Sequence, residues 1–164
     1  MNTLRTLAVG AVVLAAACTS SPSAVPSRTE IPAGTPVALA ELGGYSRFQS
    51  GIGETSRMVV AGDSAWNSVT GRIYGQGAAR PSIDFTTETV IVAAMGSRPT
   101  GGYGITVERA VRTEGEIVVE VVETSPGRGC MTTQALTAPV HAVRIARQTL
   151  PIRFVERKTV RECN

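Results

Sequence analysis

Most of the chain is built from short hydrophobic runs in which apolar and polar residues alternate, a pattern typical of β-strands. The run at residues 89–95 differs, because it is apolar on both alternating positions, which indicates a central strand covered on both faces. In residues 103–111 the apolar Tyr103, Ile105, Val107 and Val111 alternate with Gly104, Thr106, Glu108 and Ala110, which indicates a half-buried strand. The other predicted strands are residues 57–61, 117–122, 140–146 and 152–155. The pattern therefore predicts about six or seven strands.

One segment has helical spacing instead. Trp66, Val69 and Ile73 share one face of a predicted helix, and Asp63 or Ser64 is expected to cap its N-terminus. The connections between the strands are short, which favours antiparallel pairing. The sequence therefore predicts a mainly β (α+β) domain, an antiparallel β-sandwich or open barrel with one covering helix.

The N-terminus has the pattern of an export signal. A short basic start is followed by apolar residues 6–17 and then by Cys18, and the apolar run is shorter than the roughly 20 residues of a membrane span. Residues 14–18, Leu-Ala-Ala-Ala-Cys, resemble the bacterial lipobox, whose cysteine receives a diacylglyceryl group. The resemblance implies lipidation at Cys18 and attachment to a membrane surface. The alternative is an ordinary signal peptide whose cleavage site happens to precede a cysteine.

Three segments follow from this pattern. Residues 1–17 are the predicted signal peptide, residues 18–40 contain the lipidated cysteine and a flexible Ser/Pro-rich tether, and residues 41–164 form the β-rich domain. We expect an exported, membrane-anchored protein on the periplasmic or cell-surface side of an outer membrane. In that setting Cys130 and Cys163 are predicted to form a disulfide, with two free thiols as the alternative.

Composition excludes several classes of function. The 164 residues carry a formal net charge of +3, only 4% are aromatic, and there is a single His. Few aromatics argue against a base-stacking nucleic-acid surface, and one His argues against multi-His metal centres. No CxxC or HExxH spacing occurs. We therefore predict no nucleic-acid partner, no metal and no small-molecule cofactor.

The candidate nucleophiles lack catalytic partners. A strand followed by Gly-Asp-Ser at residues 62–64 resembles the nucleophile block of GDSL-type esterases, which also need a downstream Asp-x-x-His. Here the only imidazole is His141, and Ala138 stands three residues before it. A dyad of Cys130 and His141 has no recognisable motif, and His141 shares the core-facing parity of Val143. The sequence therefore predicts that the protein is not an enzyme and that His141 is structural.

The connection between the predicted strands at residues 89–95 and 103–111 is richer in special residues than closing a turn requires. It contains Arg98, Pro99, Thr100, Gly101, Gly102 and Tyr103. Proline fixes one dihedral angle, the glycines permit positive φ, and Arg and Tyr are favoured at binding hot spots. Two interpretations stand about even: a loop that contacts a partner, or a Gly-rich turn whose tyrosine packs inward.

These residues also carry a family resemblance. Together with Ile83-Asp84-Phe85 before the central strand and the Pro139 step before residues 140–146, they resemble the C-terminal domain of the PrcB family over about residues 56–155. The resemblance implies a non-catalytic accessory domain of an exported complex, whose partner is an exported protease or another secreted protein. Residues 98–103 are the expected partner-binding loop.

Two other functions are weighed beside this one. Residues 98–103 are also similar to the Asn-Pro-Thr-Thr-Gly loop of chagasin-type inhibitors, which implies a protease inhibitor that acts through the same loop. The third hypothesis is a small exported hydrolase that uses Ser64 or Cys130.

Overall fold

Eight strands and one helix form the part of the chain that the computed structural model describes, residues 30–163. In chain order these elements are β1 (Thr35–Val37), β2 (Ala40–Glu41), β3 (Thr55–Val60), α1 (Asp63–Tyr74), β4 (Glu88–Met95), β5 (Gly104–Arg112), β6 (Ile117–Pro126), β7 (Val140–Ala146) and β8 (Ile152–Arg161).

The strands form two four-stranded sheets, one with the order β1-β5-β6-β8 and the other with the order β2-β7-β4-β3. Neither sheet closes into a barrel, so the predicted mainly β sandwich with one helix is confirmed. Antiparallel pairing holds except between β6 and β8, which are parallel. The reason is topological: between β6 and β8 the chain passes through β7 in the other sheet, so it re-enters the first sheet in its original direction.

The central strand β4 is covered on both faces, as its unbroken apolar run predicts. One set of alternating side chains packs with α1, and the other packs against the first sheet. The helix-facing set is Val90, Val92 and Ala94, and the sheet-facing set is Ile91, Ala93 and Met95. The molecule therefore has three layers, with the second sheet in the middle.

Helix α1 covers the outer face of the second sheet. Trp66, Val69 and Ile73 are buried there, as their spacing predicts. The predicted N-cap is wrong: Gly62 occupies that position with an extended φ of −173°, and no side chain caps the helix. Asp63 instead begins the first turn, where a carboxylate interacts favourably with the helix dipole.

The first sheet includes residues before position 41. Strand β1 lies inside the range 18–40 that the sequence assigns to the tether, and it pairs with the end of β5. Ile31 packs against Val111, Val118 and Val155 on the outer face of the first sheet. The predicted signal peptide, Cys18 and the tether up to residue 29 lie outside the described residues. Between residues 30 and 163 no helix is long and apolar enough to cross a membrane.

Candidate protein-binding loop

Residues 98–103, which we call the hexad loop, connect β4 of the second sheet to β5 of the first. Strand β5 runs from Gly104 to Arg112, so the hexad loop and the turn at residues 113–116 lie at opposite ends of this strand. The hexad loop is therefore displayed at one end of the sandwich.

The chain leaves β4 through a glycine that the sequence analysis did not single out. Gly96 has a φ of +76°, which disfavours other residues, and a Cβ there would lie 2.9 Å from the backbone nitrogen of Thr55. The next residue, Ser97, donates its N–H to the carbonyl oxygen of Gly53 at 2.9 Å. This close approach fixes the direction in which the chain enters the hexad loop.

The backbone of the hexad loop is braced by the β6–β7 loop, residues 127–139. Arg98 and Thr137 form a two-way backbone pair, with N···O distances of 2.7 and 3.0 Å. Gly101 donates its N–H to the carbonyl oxygen of Thr133 at 2.9 Å. The hydroxyl of Thr137 donates to the carbonyl oxygen of Thr100 at 2.9 Å. Both halves of the hexad loop are thus held to one neighbouring segment.

The paired glycines allow the two loops to approach. A Cβ on Gly101 would lie 2.3 Å from the Thr133 hydroxyl oxygen. Gly102 has a φ of +85°, and a Cβ there would lie 2.9 Å from the Thr132 methyl group. Any larger residue at Gly101 would displace the Thr133 hydroxyl, and at Gly102 both space and conformation favour glycine.

A disulfide ties the bracing loop to the end of the chain. Cys130 and Cys163 are bonded, with their Cα atoms 5.0 Å apart. Nearby, Gly127 donates its N–H to the carbonyl oxygen of Arg161 at 2.9 Å. The β6–β7 loop is thus attached to the end of β8 by a hydrogen bond and to the segment just after β8 by a covalent bond, and this attachment supports the hexad loop indirectly.

The side chains of the hexad point to different environments. Tyr103 is half-buried and packs against the core between the sheets, as the turn interpretation expects. Pro99 is exposed, and the guanidinium of Arg98 lies 5.9 Å from the centroid of the Tyr103 ring. The loop therefore combines an anchored tyrosine with an exposed proline and a half-buried arginine.

A groove of about 560 Å³ opens beside the hexad loop. Its lining consists of Phe48, Gly101, Gly102, Tyr103, Gly104, Thr124, Thr133, Thr137 and Arg161. Phe48 in this lining is 63% exposed. Leu136, at 73% exposure, and the fully exposed Met131 belong to the β6–β7 loop that braces the hexad loop. Exposed apolar side chains beside a groove are a feature of many binding surfaces.

His141 is a structural residue of the core. It is buried, and its Nδ1 accepts a hydrogen bond from the Val107 N–H at 2.8 Å, so the neutral ring carries its proton on Nε2. Burial, followed by the positive charge of Arg47, lowers the pKa of His141 to about 4. The Glu41 carboxylate, 3.4 Å from Nε2, opposes this shift.

The contacts of His141 also protect a strand edge. Strand β1 pairs with residues 110–112 of β5 and leaves the first half of β5 open on that side. The Val107 N–H there is taken by His141, and the Ile105 carbonyl oxygen accepts a hydrogen bond from Arg47 at 3.1 Å. Side chains therefore form hydrogen bonds with backbone groups that could otherwise pair with a strand from another molecule.

The Asp84-Phe85 step shapes the entry into β4. The Asp84 carboxylate accepts hydrogen bonds from the Thr86 N–H at 2.9 Å and the Thr86 hydroxyl at 2.5 Å, and these bonds lower the pKa of Asp84. Phe85 is buried in the core beneath α1. Both residues of the motif thus have structural roles.

The candidate nucleophiles do not form a catalytic site with the imidazole. Ser64 is exposed in the first turn of α1, Cys130 is in a disulfide, and His141 is engaged in the core. Among residues 30–163 no group of three or more His, Cys, Asp or Glu side chains could hold a metal ion.

The fold and the loop together define a class of protein: a β-sandwich domain that presents a braced loop and an apolar groove at one end. Residues 89–146 match the family model described as PrcB C-terminal. This match confirms, over this segment, the resemblance to the PrcB family that the sequence predicts. The matched segment runs from β4 to the end of β7 and so contains both the hexad loop and its brace. No curated protein and no solved structure matches the chain.

Proposed function

We propose that this protein is a lipid-anchored, non-catalytic accessory domain of an exported protein complex. Its role is that of a protease-complex subunit that aids the assembly, stability or anchoring of a secreted protease. The observation that carries this proposal is the PrcB C-terminal match, because the matched residues include the hexad loop and the segment that braces it.

The hexad loop is the contact surface in this proposal. Its backbone is already fixed by hydrogen bonds to Thr133 and Thr137, so a partner would not have to order it on binding. Its Arg98 and Pro99 side chains reach solvent beside exposed apolar residues. Arginine surrounded by apolar area is a common composition for a binding hot spot.

The membrane anchor rests on the N-terminal pattern alone. In this proposal Cys18 carries the lipid, residues 1–17 are removed, and the domain lies on the periplasmic or cell-surface side of the outer membrane. Replacing Cys18 with Ser should move the protein from the membrane fraction to the soluble fraction, and lipid-derived mass should disappear from the mature N-terminus. An unchanged membrane fraction would contradict the lipid anchor.

Affinity purification of the full chain from membranes tests the contact role. The informative variant combines Arg98→Glu with Pro99→Ser and leaves the core-packed Tyr103 intact. The matched control is Glu114→Ala, an exposed change in the turn at the other end of β5. We expect an exported protease in the wild-type and control samples, and at least about tenfold less of it with the double variant. Equal recovery with a folded double variant would show that the loop is not the contact.

The inhibitor hypothesis uses the same exposed Pro99 and predicts a different result. Purified protein would be titrated against papain-like and subtilisin-like proteases. A subunit need not change the turnover of either enzyme, whereas an inhibitor must lower it in proportion to the amount added. The Arg98→Glu, Pro99→Ser variant would remove such inhibition if the loop caused it.

A further inference from the structure

The groove beside the hexad loop has a lining that selects for one kind of occupant. Tyr103 and Phe48 supply apolar surface, and the hydroxyls of Thr124, Thr133 and Thr137 supply polar groups. This mixture of apolar walls and a few polar groups is typical of sites for peptide or small-molecule ligands.

The charge of the groove is one-sided. Arg161 lines it, and Arg98 lies over the Tyr103 ring at its border. Of the described residues that line the groove, none is acidic. Within residues 30–163 the guanidinium of Arg161 has no ion-pair partner, in contrast to the arginines at 153 and 157 on the same strand. An unpaired cation beside apolar surface favours a carboxylate-bearing ligand.

The floor of the groove is open because of a glycine at the start of β5. A Cβ on Gly104 would meet no atom within 4 Å, and Gly104 has no positive φ that would require glycine. The missing side chain leaves space above the pair that Gly104 forms with Thr124 on β6. A larger residue at this position would fill the groove without straining the backbone.

We infer that this groove binds an extended segment of the exported partner in which an apolar side chain stands next to an acidic one. This inference rests on the proposed function for the origin of the segment. The apolar side chain lies between Phe48 and Tyr103, and the carboxylate accepts hydrogen bonds from Arg161. The protein's own residues 19–29 contain no Asp or Glu, so they do not supply this ligand.

A pair of labelled hexapeptides tests the inference on the full chain purified in detergent. The probes are acetyl-Ser-Val-Phe-Glu-Val-Ser-amide and the same peptide with Gln in place of Glu, and fluorescence anisotropy measures binding. We expect the Glu peptide to bind at least about tenfold more tightly than the Gln peptide, because only the Glu carboxylate pairs a negative charge with the Arg161 guanidinium. Arg161→Gln should remove this difference.

Two further variants locate the site. Gly104→Leu should weaken the Glu peptide at least about tenfold by occupying the groove, with folding checked by circular dichroism. Lys158→Gln is the matched control, because it removes a cation from the same strand outside the groove lining, and it should leave binding unchanged. If Gly104→Leu does not fold, the comparison of peptide binding by Arg161→Gln and by Lys158→Gln decides whether the groove is the site.

The inference is overturned if neither peptide binds at 1 mM, if both bind equally, or if Lys158→Gln weakens binding as much as Arg161→Gln. None of these peptide results would change what the affinity purification says about the proposed function. Conversely, if the Glu peptide binds selectively but no exported protease is recovered from membranes, the groove is a peptide-binding site and the proposed function is refuted.

Discussion

At the scale of single residues, one buried imidazole joins the two sheets. His141 stands on β7 of the second sheet and accepts the N–H of Val107 on β5 of the first. The N–H is free for this bond because β1 pairs only with residues 110–112 and leaves Val107 on the open edge of β5. Sequence parity correctly predicted that His141 faces the core, but its hydrogen-bond partner lies 34 positions away on the other sheet, and no sequence pattern links the two residues.

The burial of His141 makes stability depend on pH. Its pKa in the folded protein is about 4, below the ordinary 6.5, so between these values the unfolded chain takes up a proton that the folded chain does not. Stability is therefore lost as the pH falls from about 6.5 to 4, by about 3 kcal/mol. Glu41 and Arg47 face the ring and remain in a His141→Gln variant. The difference between the two proteins therefore measures the contribution of the imidazole to the pH dependence of stability.

Urea unfolding of both proteins at pH 7, 5.5 and 4 measures this effect. The wild-type protein should lose about 3 kcal/mol more than His141→Gln over that range. Parallel pH profiles for the two proteins would show that His141 does not titrate differently in the folded and unfolded states.

Gly96 is the residue whose replacement should most disturb the entry to the hexad loop. Gly96→Ala places a methyl group 2.9 Å from backbone atoms of Glu54 and Thr55 at a φ of +76°, and we expect a loss of about 1–3 kcal/mol in unfolding free energy. Gly104→Ala is the control, since its methyl group would meet no atom within 4 Å. Equal effects of the two substitutions in urea unfolding would disprove the steric argument.

At the scale of elements, the sequence predicts those strands whose side chains meet an apolar neighbour on a regular period. Strand β4 is foreseen because both of its faces are buried. Strand β1 is missed because it has three residues, one of them Pro36, and β2 has two, too few to show a period. Strand β8 runs to Arg161 rather than to residue 155. Its last six residues are missed because they are mostly charged and exposed and show no apolar alternation.

The sequence predicts where the candidate site lies along the chain, but not the hydrogen bonds that hold the loop in place. Residues 98–103 stand out because Pro and Gly mark a special backbone. Their brace does not stand out, because Arg98 and Gly101 bond to backbone groups of Thr137 and Thr133, more than thirty residues away, and any residue can supply a backbone carbonyl. Only the disulfide that ties this brace to β8 leaves a signal in the sequence, as a pair of cysteines.

The disulfide should therefore control the order of the hexad loop. Replacing Cys130 and Cys163 with Ala opens a link between residues separated by 33 positions, and chain entropy predicts a loss of about 3–4 kcal/mol. Locally, the Gly101 N–H bonded to Thr133 should exchange with deuterium faster than an amide in central β4, relative to the wild-type protein. Hydrogen exchange that accelerates equally at both places would mean that the disulfide stabilises the whole domain without bracing the loop.

At the scale of the whole molecule, an ion cluster joins the two sheets along one side of the sandwich. Arg57 on β3 of the second sheet contacts the carboxylates of Glu123 on β6 and Glu156 on β8 at 2.6 and 3.0 Å. The side chains of Arg57 and Glu123 are only 11% and 9% exposed. Arg57 also donates to the carbonyl oxygen of Ala94 at 2.8 Å. Charges in this position are partners that must be kept or removed together.

This pairing predicts a strongly non-additive pair of substitutions. Arg57→Leu leaves the buried Glu123 carboxylate facing one counter-charge fewer and should lower the unfolding free energy by about 3–5 kcal/mol. Adding Glu123→Leu removes the uncompensated charge and should restore most of that loss. The control is Arg72→Leu, which breaks an ion pair to Glu54 whose side chains are 42% and 59% exposed and should cost less than about 1 kcal/mol. Urea unfolding of the wild-type protein, the Arg57→Leu and Glu123→Leu single variants and the double variant gives the coupling energy, and additive losses at Arg57 and Glu123 would show that this ion pair does not couple the two sheets.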